Sequence, residues 1–310
     1  MYKKDCWILT DSLTGHEKQS ISLAEKLNIN FKIIKTKKLN FIERILINFF
    51  NLKKTKKLKA PFPKIIISCG KNTAYYSRFL KKKSKKIFSI FIQKPPININ
   101  NFNIVIAPKH DNCIGPNTIQ TQGSLTKINM NYIKSIAKKK RPYILKKKYI
   151  AMLMGGNSRH HKITTNILNK IIDKLNFLQN KYKLNFFIIL SRRTKNNHIL
   201  YLKKNLSEKY FTFIKPSMKK IPYLKIISFA KAIIVTSDSV SMVTEACSSG
   251  KSTYIIKIPS KSKKFSLFIK NLIDLKLVYY LKNSLSLNNK KKALNDIEIV
   301  IKEIKKKIKF

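Results

Sequence analysis

The clearest structural pattern in the chain is the segment KAIIVTSDSVSMVTEACSSGKSTYIIKIP, residues Lys231–Pro259. Its first part, Lys231–Thr236, is a short apolar run rich in β-branched side chains, which predicts a buried strand. Ser237–Ser239 follows, and its residue types are those that cap helix N-termini. An apolar helical stripe then runs to Gly250, a residue that favours the end of a helix. A second apolar run, Ser252–Ile258, completes a βαβ unit.

The turn of this unit directs backbone N–H groups and the hydroxyls of Ser237, Ser239 and Ser241 towards one point, next to Asp238. Such a turn binds phosphate through unpaired N–H donors and the positive end of the helix dipole. Glu245 lies one to two turns inside the helix, where a carboxylate accepts hydrogen bonds from ribose hydroxyls. The alternative is a βαβ unit that only builds the fold, and this unit alone favours that simpler interpretation.

Length and composition indicate two domains with large cores. The chain has 310 residues, of which 44% are hydrophobic, and a domain usually contains about 50–250 residues. There is no apolar run of about 18 residues, so no membrane-spanning helix is expected. The N-terminus lacks the apolar core of a signal peptide, because Trp7–Thr10 leads directly into a polar loop.

The net charge of +52 would ordinarily indicate a nucleic acid or an anionic membrane as partner. However, 60 of the 66 basic residues are lysine, and isoleucine and asparagine are abundant as well. All three residue types have A/T-rich codons, so a low-GC genome is the simplest cause of the charge. The lysines are spread along the whole chain and no RNA-binding motif is present, so no specific nucleic-acid partner is expected.

Against this background, the rare residue types mark positions that need specific chemistry. The chain has 7 glycines, 6 arginines, 5 histidines and 14 acidic residues, and many of them cluster in five short loops. The cysteines Cys6, Cys69, Cys113 and Cys247 show neither CxxC nor metal-binding spacing. This pattern favours reduced, structural thiols in a cytoplasm.

Strands alternate with helices in both halves of the chain, which predicts two Rossmann-like α/β domains with mostly parallel sheets. The lysine-rich segment Ala137–Lys148 contains no strong element, so we place the boundary there, giving domains of residues 1–140 and 141–310. In such sheets, ligands bind beyond the carboxyl ends of the strands. If the domains face each other, six polar loops after strands line one cleft. They begin at Asp11, Gly70, Pro108, Gly155, Ser191 and Ser237.

The loop Gly155-Gly156-Asn157-Ser158 places paired glycines after a strand. Glycine permits close approach of the backbone to a phosphate. A Gly-Gly turn alone is a weak signal, and neither GxGxxG nor the P-loop pattern is met. The histidine pair that follows would diverge on a helix and has no acidic neighbour, so a polar loop is a better interpretation than a metal site.

The next loop holds two of the six arginines, Arg192 and Arg193. Arginine resists replacement by lysine where planar, bidentate contact with phosphate matters. On a simple surface, lysine would serve equally well in this lysine-rich chain. The pair therefore favours a role in phosphate binding.

Two loops each combine a carboxylate with an imidazole, namely Asp11 with His16 and His110 with Asp111. A histidine whose pKa is near neutrality can take a proton from an attacking hydroxyl. The alternative, at least as well supported for either pair alone, is that the aspartate caps a turn and the histidine is exposed. The G-x-S-x-G elbow and the DxD-type metal pair are both missing, which disfavours serine hydrolysis and metal-dependent sugar transfer.

The segment Phe41–Leu52 (FIERILINFFNL) is a very apolar helical pattern with lysines on both sides. It can be an interfacial helix that lies on an anionic membrane surface. Packing on the first sheet as a core helix is an equally good interpretation, because lysine flanks carry little weight in this chain.

Taken together, five motifs in sequence order resemble the mitochondrial-fission-protein-like (elongated mitochondria) family of GT-B glycosyltransferase type, found in bacteria and plants. The resemblance covers nearly the whole chain. The motifs are TDSLTGHEKQ at Thr10–Gln19, PKHD…GPN…TQGSL at Pro108–Leu125, MGGNS at Met154–Ser158, SRRT at Ser191–Thr194 and TSDSVSMVTEACSSGK at Thr236–Lys251. The chain departs from the family at Ser12, where glycine is usual, and at Lys109, where arginine is usual.

The resemblance implies a nucleotide-sugar donor in the second domain and an acceptor in the first. The last motif also looks like the donor site of the peptidoglycan glycosyltransferase that transfers N-acetylglucosamine to a lipid-linked acceptor. In that enzyme a glutamate before the closing glycine turn holds the ribose, and Glu245 has the same spacing to Gly250.

The leading hypothesis is a transferase that moves a hexosyl or N-acetylhexosaminyl group from a nucleoside diphosphate to a lipid or lipopolysaccharide-type acceptor of the cell envelope. It would need no metal or tightly bound cofactor. His16 or the His110–Asp111 pair would act as base, and Asp11 would orient it. The expected location is the cytoplasm, at the inner face of the membrane. The alternative is a non-enzymatic scaffold that recruits a protein partner at a membrane, because the plant member of the family is associated with recruiting a dynamin-like protein.

Overall fold

The chain folds into two α/β units. The computed structural model describes residues 6–47, 49, 53–56, 58–218, 222–288 and 292–307. The first unit consists of Met1–Lys127 together with Asp296–Phe310, and the second consists of Ile128–Asn295. Each unit is built on its own six-stranded sheet.

All neighbouring strands in both sheets run parallel. The first sheet contains β1 (Cys6–Thr10), β2 (Phe31–Lys35), β3 (Ile65–Cys69), β4 (Phe88–Ile92), β5 (Ile104–Pro108) and β6 (Thr118–Thr121). The second contains β7 (Tyr149–Met154), β8 (Asn185–Leu190), β9 (Phe211–Ile214), β10 (Ala232–Thr236), β11 (Ser252–Ile256) and β12 (Tyr279–Tyr280). Their spatial orders are β2-β1-β3-β4-β5-β6 and β12-β11-β10-β7-β8-β9.

Most of the connections between strands contain an α-helix, as is usual in parallel sheets. The helices are α1 (Thr14–Lys26), α2 (Phe41–Leu46), α3 (Lys71–Lys83), α4 (Met130–Ala137), α5 (Thr165–Tyr182), α6 (Asn196–Asn205), α7 (Tyr223–Phe229), α8 (Val240–Ser248), α9 (Lys263–Asp274) and α10 (Asp296–Lys307). Within the described part of the chain, no helix combines the length and apolarity that crossing a bilayer demands.

The central strands are apolar on both faces, because helices cover both sides of each sheet. Every residue of β3 and of β10 is buried. In the first unit, α1 and α10 pack on one face and α3 on the other. In the second unit, α4, α7, α8 and α9 cover one face, and α5 and α6 cover the other. Both units are therefore Rossmann-like, which confirms the predicted fold class.

The division of the chain differs from the predicted boundary after residue 140. The first unit ends at Lys127, and helix α4 already belongs to the second unit, where it packs against α7. The last helix, α10, returns to the first unit and contributes Ile297, Val300 and Ile304 to its core. The lysine content of a segment cannot reveal this return, because the return depends on contacts between the two ends of the chain.

Asp296 anchors α10 to the first sheet. Its carboxylate is buried, and Oδ2 accepts hydrogen bonds from the main-chain N–H groups of Gln122 at 2.9 Å and Gly123 at 2.8 Å. Burial raises the pKa of Asp296, and the two amide donors oppose this rise. The carboxylate thus satisfies two donors just beyond β6.

Replacing Asp296 by alanine is expected to lower the free energy of unfolding of the first unit by about 1–3 kcal/mol, because buried N–H donors lose their acceptor. Asp296→Asn is the matched control, since its amide oxygen can still accept one of these bonds. Hydrogen exchange at Gln122 and Gly123, together with thermal melting, measures the effect. Unchanged protection of both amides in the alanine variant would contradict the anchoring role.

The segment predicted as one helix, Phe41–Leu52, is a helix only over Phe41–Leu46. Asn40 caps it, and its side chain accepts a hydrogen bond from the N–H of Glu43 at 2.8 Å. No residue of this short helix is buried, so the core-helix interpretation does not hold for it. Residues 48 and 50–52 of the predicted segment lie outside the described residues.

Candidate functional site

The most informative loops lie where the strand order of each sheet reverses. In the second sheet the chain proceeds from β7 to β8 and β9 on one side, and then from β10 to β11 and β12 on the other. In the first sheet the reversal lies between β1 and β3. Ligands of open α/β sheets bind at the carboxyl ends of the strands at this reversal point. A ligand site is therefore expected at this point of each unit.

In the second unit, the loop after β7 is held by groups from its two neighbouring strands. The N–H of Gly155 donates to Oγ1 of Thr236 at 2.8 Å, and Oγ1 of Thr194 donates to the carbonyl oxygen of Gly155 at 2.6 Å. The N–H of Gly156 donates to Oδ2 of Asp238 at 3.0 Å. The loops after β7, β8 and β10 thus form one hydrogen-bonded assembly.

At positions 155 and 156, neighbouring atoms leave no room for a Cβ, so both positions require glycine. A Cβ on Gly155 would overlap the carboxylate of Asp238, and a Cβ on Gly156 would overlap the main-chain carbonyl group of Arg193. The sequence predicted that glycine here lets a phosphate approach the backbone. The structure gives a different reason, which is that glycine lets the three loops approach one another.

Asp238 and Arg193 form an ion pair inside this assembly. Nη2 of Arg193 donates to Oδ2 of Asp238 at 2.7 Å, while Nη1 donates to the carbonyl oxygen of Gly156 at 3.1 Å. The side chain of Asp238 is fully buried, and its other oxygen, Oδ1, has no hydrogen-bond partner among the described residues. A buried carboxylate without its cation would be strongly destabilising. Arg193 and Asp238 therefore hold the loops in place.

Several other side chains that were predicted to bind the sugar donor form hydrogen bonds within the loops. Oδ1 of Asn157 accepts from the N–H of Ile163 at 2.8 Å, and Oγ of Ser158 accepts from the N–H of His161 at 3.2 Å. The hydroxyl of Ser237 accepts from the N–H of Ile258 at 2.8 Å. These contacts shape the rim of the site.

The imidazole ring of His161 is buried in this rim. It lies edge-on to Phe265, with 4.4 Å between ring centroids. Burial lowers its pKa; nearby Asp238 opposes the shift, and Arg193 and His160 reinforce it. His161 is therefore neutral near pH 7. Among the described residues, no group of three or more His, Cys, Asp or Glu side chains could hold a metal ion.

Two cationic or dipolar groups remain at this edge, namely the side chain of Arg192 and the half-buried first turn of α8. Arg192 is exposed, in contrast to its paired neighbour. Ser239 caps α8 by accepting from the N–H of Met242 at 3.5 Å, and Ser241 lies in the first turn, half-buried. A helix N-terminus and an arginine favour an anionic ligand.

Glu245 is half-buried one turn further along α8 and is oriented by a tyrosine that the sequence did not indicate. The hydroxyl of Tyr223, on α7, donates to Oε2 of Glu245 at 2.6 Å. Burial and the adjacent carboxylate raise the pKa of Tyr223 far above its usual value, so it remains a donor. Tyr223 fixes the direction of the carboxylate that was predicted to hold a ribose.

In the first unit, Asp11 and His16 meet at the end of β1. Nδ1 of His16 is 3.0 Å from both carboxylate oxygens of Asp11. A carboxylate only accepts hydrogen bonds, so Nδ1 carries the hydrogen and Nε2 is left as the basic nitrogen. This is the arrangement in which an imidazole serves as a general base with its tautomer fixed.

Gly70, at the end of β3, completes this group. A Cβ there would lie 2.5 Å from Oδ2 of Asp11 and 2.7 Å from Nδ1 of His16, and its φ of 103° is one that favours glycine. Ser12 also has a positive φ, of 66°, at the position where the resembled family usually has glycine. The sequence marked Gly70 only as a strand end, although the rarity of glycine in this chain was a usable signal.

His110 and Asp111 lie elsewhere on the same edge. They form a 3-10 turn, Lys109–Asp111, directly after β5. Strands β3 and β4 separate β5 from β1, which corresponds to about 14 Å at the usual strand spacing. The two predicted His–Asp pairs are therefore separate sites, and only Asp11 and His16 lie at the reversal point.

The chain is similar to known proteins both in sequence and in structure. Residues 14–308 match the model of the family described as mitochondrial fission ELM1. The chain is 28% identical to the uncharacterized protein RP120 of Rickettsia prowazekii (strain Madrid E), over 98% of both chains. It is 24% identical to the mitochondrial fission protein ELM1 of Arabidopsis thaliana, over 68% of this chain and 55% of the plant protein.

Among solved structures, the chain is similar to the UDP-GlcNAc 2-epimerase of Methanocaldococcus jannaschii in complex with UDP-GlcNAc and UDP. The TM-score is 0.56 at 14% identity, over 98% of this chain and 99% of the epimerase. It is also similar to the S. aureus MnaA–UDP structure, with a TM-score of 0.53 at 13% identity, over 99% and 96% of the two chains. At such identities the likeness is one of fold, of the GT-B type. By its sequence, the chain belongs to the mitochondrial fission ELM1 family.

Proposed function

We propose that this protein is a GT-B glycosyltransferase that moves a hexosyl or N-acetylhexosaminyl group from a nucleoside diphosphate to a lipid or lipopolysaccharide-type acceptor of the cell envelope. The observation that carries the proposal is the loop assembly at the reversal point of the second sheet. Arg192 lies in the loop after β8, and the first turn of α8 and the oriented carboxylate of Glu245 follow β10.

These groups suit a nucleoside diphosphate. Arg192, the N–H groups at the start of α8 and the hydroxyl of Ser241 would stabilise the diphosphate, whose charge grows as the sugar leaves. Glu245 would accept hydrogen bonds from the ribose hydroxyls. Solved structures of the same fold carry UDP-GlcNAc or UDP, which supports a uridine nucleotide as the first ligand to test.

The first unit supplies the proposed base. Nε2 of His16 would take the proton of the acceptor hydroxyl, and Asp11 would stabilise the resulting imidazolium. His110 and Asp111 remain a second candidate pair. In this scheme the protein's own cations stabilise the leaving group, without a metal. An envelope acceptor would place the enzyme at the cytoplasmic face of the membrane.

Calorimetry with UDP, GDP, CDP and their sugars tests the donor assignment. We expect a UDP-sugar to bind the wild-type protein and Glu245→Ala to weaken binding about 10- to 100-fold, because hydrogen bonds to a charged group are lost. Glu245→Gln, which keeps the shape and one acceptor oxygen, should lose less. If the wild-type protein binds none of these nucleotides, the donor assignment is wrong.

A second candidate function is a scaffold that recruits a protein partner at a membrane surface. It is favoured by the similarity to the plant protein named for mitochondrial fission. A scaffold would tolerate Arg192→Ala and His16→Ala in a complementation assay, whereas a transferase would not.

A further inference from the structure

A second cluster of arginines lies in the first unit, away from the reversal point of its sheet. Arg44 on α2 and Arg78 on α3 are two of the six arginines in a chain that contains 60 lysines. Their guanidinium carbons lie 5.6 Å and 5.8 Å from the ring centroid of Tyr75. Two cations therefore flank one aromatic ring, where lysine would not provide the same planar contact.

The carboxylate next to Arg44 in sequence is engaged by other groups. Glu43, next to Arg44, accepts from Nζ of Lys54 at 2.6 Å and from the N–H of Asn40 at 2.8 Å. Nε of Arg44 is buried and has no hydrogen-bond partner among the described residues. A buried donor without an acceptor is costly, and an anion bound here would satisfy it.

Apolar side chains surround these cations and face the solvent. Phe41 is 75% exposed, Ile45 51% and Phe49 73%. Nζ of Lys82 lies 5.4 Å from the ring centroid of Phe49 and adds a third cation. Large apolar groups this exposed, close to cations, are typical of surfaces that enter a bilayer interface.

The cations and apolar groups line one cavity of about 340 Å³. Arg44, Arg78 and Lys82 contribute its charge, and Phe41, Ile45 and Phe49 contribute apolar walls. We propose that this cavity binds the phosphate head group of an anionic lipid at a bilayer surface, while the exposed apolar side chains enter the lipid. The inference goes beyond the proposed transferase activity and does not depend on it.

Binding to vesicles tests the proposal. Phosphatidylcholine vesicles that contain phosphatidic acid are pelleted with the full-length protein at raised salt, which suppresses long-range attraction by the net charge. We expect the double variant Arg44→Ala/Arg78→Ala to bind about tenfold more weakly than the wild type, because charge-assisted hydrogen bonds are lost. Pure phosphatidylcholine vesicles should bind poorly to both proteins.

A matched charge control separates a built site from diffuse attraction. Lys170 and Lys204 are exposed in the second unit, so Lys170→Ala/Lys204→Ala removes the same charge elsewhere. Equal losses in the two double variants would overturn the proposal. Arg44→Lys/Arg78→Lys keeps the charge but not the planar fork, and full wild-type binding by this variant would overturn it as well.

Two further binding experiments identify the ligand. Inorganic phosphate should bind much more weakly than vesicles, and equally tight binding would overturn the assignment to a lipid. Phe49→Ser changes an exposed side chain, so we expect it to fold normally and to bind vesicles more weakly. Unchanged vesicle binding by this variant would overturn insertion of the apolar groups. Nucleotide binding by the second unit should be the same in all variants, so a failure here is distinguishable from a failure of the proposed function.

Discussion

Gly156→Ala is expected to weaken nucleotide-sugar binding about a hundredfold. The added Cβ would overlap the main-chain carbonyl group of Arg193, which is backbone and cannot swing away as a side chain would. The loops after β7 and β8 must then separate, which breaks the hydrogen bond from Arg193 to Gly156 and loosens the ion pair with Asp238. Overpacking of this kind costs about 1–3 kcal/mol, and about 1.4 kcal/mol corresponds to a tenfold change in affinity.

Calorimetry with a UDP-sugar measures this effect, and Gly115→Ala is the control. Gly115 lies in the other unit, and the one close neighbour of a Cβ there would be the end of the flexible Ile99 side chain. We expect that variant to bind nucleotide like the wild type. Wild-type affinity in Gly156→Ala would show that the packing of these loops is irrelevant to the ligand.

His16→Ala is expected to reduce sugar transfer about 100- to 10,000-fold, the usual contribution of a general base. The reason is that Asp11 holds the His16 ring at the reversal point of the first sheet, with Nε2 as its basic nitrogen. Release of UDP from a UDP-sugar in the presence of a membrane lipid extract measures transfer, and complementation of a deletion strain reports function in the cell.

Two controls accompany the His16→Ala variant. Lys18→Ala alters an exposed position on the same helix and should leave transfer unchanged. UDP binding to His16→Ala should also stay at the wild-type level, because the proposed nucleotide site belongs to the second unit. Normal complementation by His16→Ala would favour the scaffold function over catalysis.

The fold was predictable because its main signals are local. Buried parallel strands such as β3 and β10 read as continuous apolar runs, and the alternation with helices determines a parallel sheet. The start of α4 is not marked as clearly: the helix begins at Met130 with Asn129 as its cap, although Ser124 lies only five residues before Asn129. Both residues suit a helix N-terminus, so residue type alone could not choose between them.

The loops of the candidate site were predictable, but their internal contacts were not. The position of Asp238 after a strand marked it as part of a phosphate-binding turn. Its partner Arg193 lies 45 residues earlier in the chain, and the ion pair arises only because β10 and β8 both neighbour β7. The same applies to Tyr223, whose bond to Glu245 spans 22 residues and follows no sequence pattern.

The return of α10 to the first unit has a consequence for the order of events on the ribosome. Domains generally fold as units while the chain is made. The second unit is continuous in sequence, so all of its residues emerge before Ile297, Val300 and Ile304 become available to the first core. The amino-terminal half, although synthesised first, therefore completes its native packing last, and it must remain soluble while its partner helix is still being translated.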